Sequence, residues 1–246
     1  MDNRMKDYLP PMDTEKLNAL FEIENAFKAG KLSAAEAQQQ IKERVGKVSA
    51  YHVAYIEQTM TEESSDECIR EDVHSVIDML GDAIDNSLPN LPADHPIMHY
   101  LKENEEMKRL LLAVEDLVQY PMIKNQWIEL YEKISQYPLH YKRKQNQLYP
   151  VLEQKGFTRP TTTMWTFDDM VRDEIREAER LLREDNEDAF IKQQERVLLY
   201  ARDLMQKEEF ILYPTSLALI SAEEFEDMKS GDQEIGFAFF EVEHTA

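Results

Sequence analysis

A single cysteine, Cys68, stands in 246 residues. A disulfide within the chain and a thiolate metal cluster are both excluded, since each needs a second sulfur. Glycine is scarce at 6 and proline at 10. With Glu, Lys, Leu, Ala and Gln abundant, that scarcity favours helix over sheet. Positive charge is short: 28 Lys and Arg face 49 Asp and Glu, a formal net charge of -21. Such a surface repels nucleic acid and anionic membrane, so neither is an expected partner. Runs of about 18 apolar residues are missing, and MDNRMKDYLPPMD at the N-terminus has no apolar core of signal-peptide length. The expected compartment is the cytoplasm. Also missing are a Ser-His-Asp ordering, a phosphate-cradling glycine loop and paired catalytic carboxylates, so enzymatic chemistry ranks below binding.

What is present reads as helix after helix, and the fold class is all-α. Residues 1–13 read as a loose leader ending in Pro-Pro. Residues 14–85 read as a small helical domain, in which Ser33-Ala-Ala-Glu36 has the form of a capping box. Asn86 to Asp94, with two prolines and two asparagines, is the linker candidate. Asp94 then suits the N-cap of a helix opening at His95-Pro96. Tyr100, Asn104, Met107, Leu111, Val114 and Val118 form its inward stripe. Further helices are expected over about 126–153 with a break at Pro138, 166–184, and 187–213 ending at Pro214. Four amphipathic helices with short breaks make an up-down bundle over 95–230. Residues 231–246 read as an extended tail without a strand partner.

One repeat raises a chemical question. HYKRKQNQLYPVLEQ begins at His140, and LMQKEEFILYPTSLA begins at Leu204. Superposed on Leu-Tyr-Pro, Lys144 falls on Glu208. Glu208 also continues the apolar stripe Val197, Ala201, Leu204, so its carboxylate is expected inside the bundle. A buried carboxylate without a partner costs several kcal/mol. The candidate partners are a metal ion, a lysine such as Lys144, or water. For a metal, His95, His99 and Glu103 stand at i, i+4 and i+8 on one side of a helix, and His140 adds a donor. Iron, manganese and zinc all suit that donor set by coordination number. The plain readings stand beside it: His95 caps or packs, His99 is on the surface, His140 bonds a tyrosine, and Glu208 pairs with Lys144. Trp127 and Trp165 read as bundle anchors, and the methionines as core filler.

The segments HPIMHYLKENEEM, HYKRKQNQLYPVLEQKG, MWTFDDMVRDEIRE and KEEFILYPTSLALIS resemble the haemerythrin-like HHE cation-binding domain. REDVHSVIDML resembles the Asp-Val-His signature, at Asp72, Val73 and His74, of a helical domain that precedes it in one bacterial branch. Longer relatives continue into a PAS sensor domain after a segment like GDQEIGFAFF. The resemblance implies a non-haem iron site in a four-helix bundle, used for oxygen, nitric oxide or redox sensing or for iron handling. It implies His95, His140 and Glu208 as metal ligands, with His74 near the bundle; a site on this chain would join Asp168 to them, with His99, Glu103 or His74 adding one ligand. Two positions depart from the family pattern: Gln145 replaces a carboxylate, and Asp168-Asp169 stands where His-Asp is usual. These departures imply a reduced, single-metal site. The alternative is a metal-free regulatory or protein-interaction module with a Lys144–Glu208 pair in place of the metal. A protein partner is compatible with either reading.

Overall fold

The computed structural model describes residues 4–11, 13–59 and 75–242. Helices follow where apolar spacing and caps place them. α1 is Met5–Tyr8, α2 Thr14–Lys28, α3 Ala34–Arg44 and α4 Ala50–Thr59. Residues 75–80 form α5. Two-residue strands β1 (Val48–Ser49) and β2 (Ile84–Asp85) pair in parallel. Then come α6 Pro96–Leu117, α7 Lys124–Ile134, α8 Pro138–Arg143, α9 Tyr149–Gln154, α10 Thr158–Arg183, α11 Glu187–Lys207, α12 Tyr213–Leu219 and α13 Ala222–Ile235. Ser33 does form the capping box: its Oγ accepts from Glu36 N at 3.3 Å, and Glu36 Oε2 accepts from Ser33 N at 2.8 Å.

Three departures from the expected elements have physical causes. The leader is not loose through its length, because α1 buries Met5. Pro214 does not end a helix. Residues Glu208–Leu212 form a π-helical turn and α12 continues past it. Earlier in the chain, Lys144–Leu148 forms the first of these two π turns, before Pro150. In each, the amide of the tyrosine before proline reaches back five residues: Tyr149 N to Lys144 O, and Tyr213 N to Glu208 O. Proline has no amide and crowds the carbonyl four residues back, so a widened turn accommodates it without breaking the helix. The repeated Leu-Tyr-Pro segments are thus two π turns opening at Lys144 and Glu208. Lastly, the expected extended tail over 231–246 begins later, because α13 continues as helix through Ile235, and residues 236–242 follow it without strand structure.

The chain divides into two compact units, each drawn from separate stretches. The first comprises residues 1–89, 152–163 and 206–221. Its core holds Leu20, Ile23, Ala37, Ile41, Val53, Ile56, Val76 and Leu80, with Phe210 and Ile211 packed against it. The second comprises 90–151, 164–205 and 222–246. There α6, α7 with α8, α10 and α11 make a four-helix bundle. Tyr131 Oη donates to Gln194 at 2.6 Å, Tyr137 Oη to Asn104 at 2.8 Å, and Arg202 pairs with Glu115 at 2.5 Å. α13 packs on α6, α8 and the first π turn as a fifth helix. Gly231 eases that approach: a Cβ there would meet the side-chain amide of Gln147.

Candidate functional site

The stripe of α6 turns Glu103 inward, and its side chain is wholly buried. Such a carboxylate demands donors, and four reach it. Arg143 Nη1 donates to Oε1 at 2.6 Å and Nη2 to Oε2 at 2.7 Å. The backbone amide of Ala238 donates to Oε1 at 2.6 Å. His140 Nδ1 stands 2.8 Å from Oε2. An ionised carboxylate only accepts, so that ring nitrogen carries the proton. Burial pushes the Glu103 carboxyl up, but His140 and Arg143 outweigh it and hold it below the usual range. Burial disfavours the Arg143 charge, and Glu103 more than restores it. His140 is packed flat on Tyr137, with ring centroids 4.9 Å apart, and edge-on to Tyr100 at 5.2 Å.

A second buried pair lies between α10 and the first π turn. Lys144 Nζ donates to Asp168 Oδ1 at 2.6 Å, and Tyr149 Oη donates to Oδ2 at 2.9 Å. Gln145 Nε2 reaches Oδ2 at 3.4 Å and Asp169 Oδ1 at 3.2 Å. Both Lys144 and Asp168 are wholly buried. Lys144, expected opposite Glu208, therefore has Asp168 as a carboxylate partner.

Behind Arg143 lies Asp232 of α13, also buried, with its Oδ1 3.7 Å from Arg143 Nε. Among the described residues neither Asp232 oxygen has a hydrogen-bond donor. The guanidinium's Nη atoms are already taken by Glu103. Burial, against the pull of Arg143, pushes the Asp232 carboxyl up to about 6.

The remaining predicted residues are placed as follows. His95 is half-buried and is itself the N-cap of α6: its Nδ1 accepts from Ile97 N at 3.2 Å. The expected cap, Asp94, is one residue too early and instead pairs with Lys229 at 2.6 Å. His99 is buried, not on the surface; burial and Arg143 lower it to about 4, so it is neutral. Its ring meets the edge of Phe237 at 4.8 Å. Glu208 is wholly buried as its stripe requires, belongs to the first unit, and accepts from Tyr213 Oη at 3.1 Å. His74 lies outside the described residues, as do Asp72, Val73 and Cys68. Trp127 anchors the bundle against Phe190, with ring centroids 5.0 Å apart, whereas Trp165 is 38% exposed.

The structure thus brings Glu103 and His140 together and gives Asp168 to a lysine. Among the described residues no three His, Cys, Asp or Glu side chains are grouped so as to hold a metal ion. As they stand, the donors of the bundle do not fit one. All four acceptor positions of Glu103 are filled, and Glu103 and Asp168 are each paired with a buried cation, Arg143 and Lys144. Sequence reasoning missed Arg143, because a run such as His-Tyr-Lys-Arg-Lys ordinarily marks a solvated face. It missed Asp232 and the Ala238 amide, for which spacing offers no signal.

Residues 95–216 match the family model Hemerythrin, described as the Hemerythrin HHE cation binding domain. No curated protein matches the chain. Among the described residues no helix is long and apolar enough to cross a membrane.

Proposed function

Through residues 95–216 this chain belongs to the haemerythrin HHE cation-binding family, and from that premise we propose that its bundle is a metal-independent regulatory or protein-interaction module. In this reading two side-chain cations do inside the bundle what a metal ion would do. The supporting observation is the pairing of Arg143 with Glu103 and of Lys144 with Asp168, all four wholly buried. Each pair is neutral by itself. A divalent ion entering either cluster would leave an ammonium or guanidinium stranded in a dry core, at a cost of several kcal/mol. The acidic surface, with net charge -21, then suits a protein partner with a basic face.

A second reading is metal binding, with iron, manganese or zinc serving oxygen, nitric oxide or redox sensing or iron handling. One observation favours it: His140 donates through Nδ1 to Glu103, the arrangement that orients a metal-bound imidazole. Its ligands would come from His140, His99 and Asp168. It requires Lys144 to release Asp168.

Elemental analysis separates the two. On the metal-independent reading, protein purified from rich medium and then loaded anaerobically with iron holds less than about 0.1 metal per chain, and chelator leaves its melting temperature unchanged. Near-stoichiometric metal with a chelator-sensitive melting temperature would establish the second reading.

A further inference from the structure

The segment after α13 has the contacts of a bound peptide. Its main chain is clamped at two points. Ala238 N donates to Glu103 Oε1 at 2.6 Å, and Gly236 O accepts from Arg143 Nη1 at 3.2 Å. Its aromatic rings take seats on either side of that clamp. Phe237 covers the Arg143 guanidinium at 4.4 Å and meets the His99 ring at 4.8 Å. Phe240 lies under Lys102 Nζ at 3.9 Å and stacks on Phe237 at 5.4 Å. Phe239 stacks on Tyr137 at 5.8 Å with planes 11° apart. Between them Ala238 is wholly enclosed.

The backbone shows that the seat dictates the conformation. Gly236 turns the chain off α13 at φ +93°, and Phe239 is held at φ +71°. A bulky residue in that region is strained and persists only where its surroundings over-determine it. Main-chain hydrogen bonds to a side-chain acid and arginine, with pockets for particular rings, are how proteins recognise extended segments. Both cations here are covered by rings, a contact strengthened when water is excluded. Nothing in the seat reads a charge on the segment, and Gly236 to Phe240 carries none.

We propose that His99, Lys102, Glu103, Tyr137 and Arg143 form a recognition site for an extended aromatic–small–aromatic peptide segment, occupied in cis by Gly236–Phe240. A partner segment of the same pattern displaces the chain's own. The proposal rests on the reading of the bundle as an interaction module and names its site and the chemistry of its partner.

The test uses the full chain, with chelator present, and a fluorescein-labelled peptide of residues 236–242. Phe237→Ala with Phe240→Ala loosens the cis segment and leaves the seat intact. Provided circular dichroism shows it folded, this variant is expected to bind the peptide at least tenfold more tightly than the wild-type chain. A peptide carrying Ala238→Pro lacks the clamped amide and is expected not to bind. If the double variant does not fold, hydrogen exchange in the wild-type chain decides: excess unlabelled peptide must speed exchange of the Ala238 amide. A folded variant that ignores the peptide, a proline peptide that binds equally well, or an unchanged Ala238 exchange rate each overturns the proposal. Metal content is measured on the same sample, so a failure of the metal-independent reading is seen separately.

Discussion

Arg143 and Lys144 are neighbours in sequence, and both are buried. Their charges survive because each meets a carboxylate at 2.6 Å. Removing one partner of such a pair leaves the other charge stranded. Arg143→Met is therefore expected to cost about 3–5 kcal/mol in urea unfolding, and adding Glu103→Leu to recover most of that loss. Recovery would separate a stranded Glu103 from mere loss of packing; its absence would tell against the pairing as the cause. Two other groups set opposing pH slopes. Asp232, pushed up to about 6, keeps its proton in the native state to higher pH than in the unfolded chain. It lowers stability by about 3 kcal/mol as pH rises from about 4 to about 6. His99, lowered to about 4, is protonated first in the unfolded chain. It lowers stability by about 3 kcal/mol as pH falls from about 6.5 to about 4. The two nearly cancel. Asp232→Asn is expected to steepen the loss on acidification from pH 6.5 to 4, read from urea midpoints; an unaltered slope would refute the assignment. At this scale the burial of Glu208 was legible from its stripe. That of Asp232 was not, because nothing in local spacing aims α13 at Arg143.

Among the elements, caps and periodicity carried most of the legible information. The Ser33–Glu36 box is present as its spacing predicts, and Ser33→Ala is expected to cost about 1 kcal/mol by thermal or urea unfolding. A cost near zero would mean that water replaces the hydroxyl. The prolines were less legible. Pro138 separates α7 from α8 as expected, yet Pro150 and Pro214 lie inside continuing helices. The difference is the π turn before each, which supplies a carbonyl five residues back. The turn also alters which residues face inward: after Glu208 the next fully buried side chain is Leu212, while Ile211 is only half-buried. A regular 3.6-residue period cannot anticipate such a local change of pitch.

For the molecule as a whole, the family match over 95–216 does not coincide with a compact unit. Residues 206–221 belong to the unit that also contains 1–89, and Phe210 and Ile211 pack against its core. A fragment of residues 90–246 would expose both side chains. It is expected to aggregate or to unfold with reduced cooperativity in calorimetry, relative to the whole chain. A fragment that melts as sharply as the full chain would show that the match folds by itself. No linear division of the sequence reveals this arrangement, because contacts that join distant stretches leave no period behind.

Taken alone, the sequence determined the all-helical class, the inward faces and the presence of charged groups within them. Those follow from residue spacing, and spacing is a local property. Tertiary structure decided which charges meet. Arg143 received Glu103, Lys144 received Asp168, and the segment after α13 received a seat on the bundle rather than a strand partner. Such pairings depend on distances between helices, and on the pitch of two π turns, which the order of residues does not state.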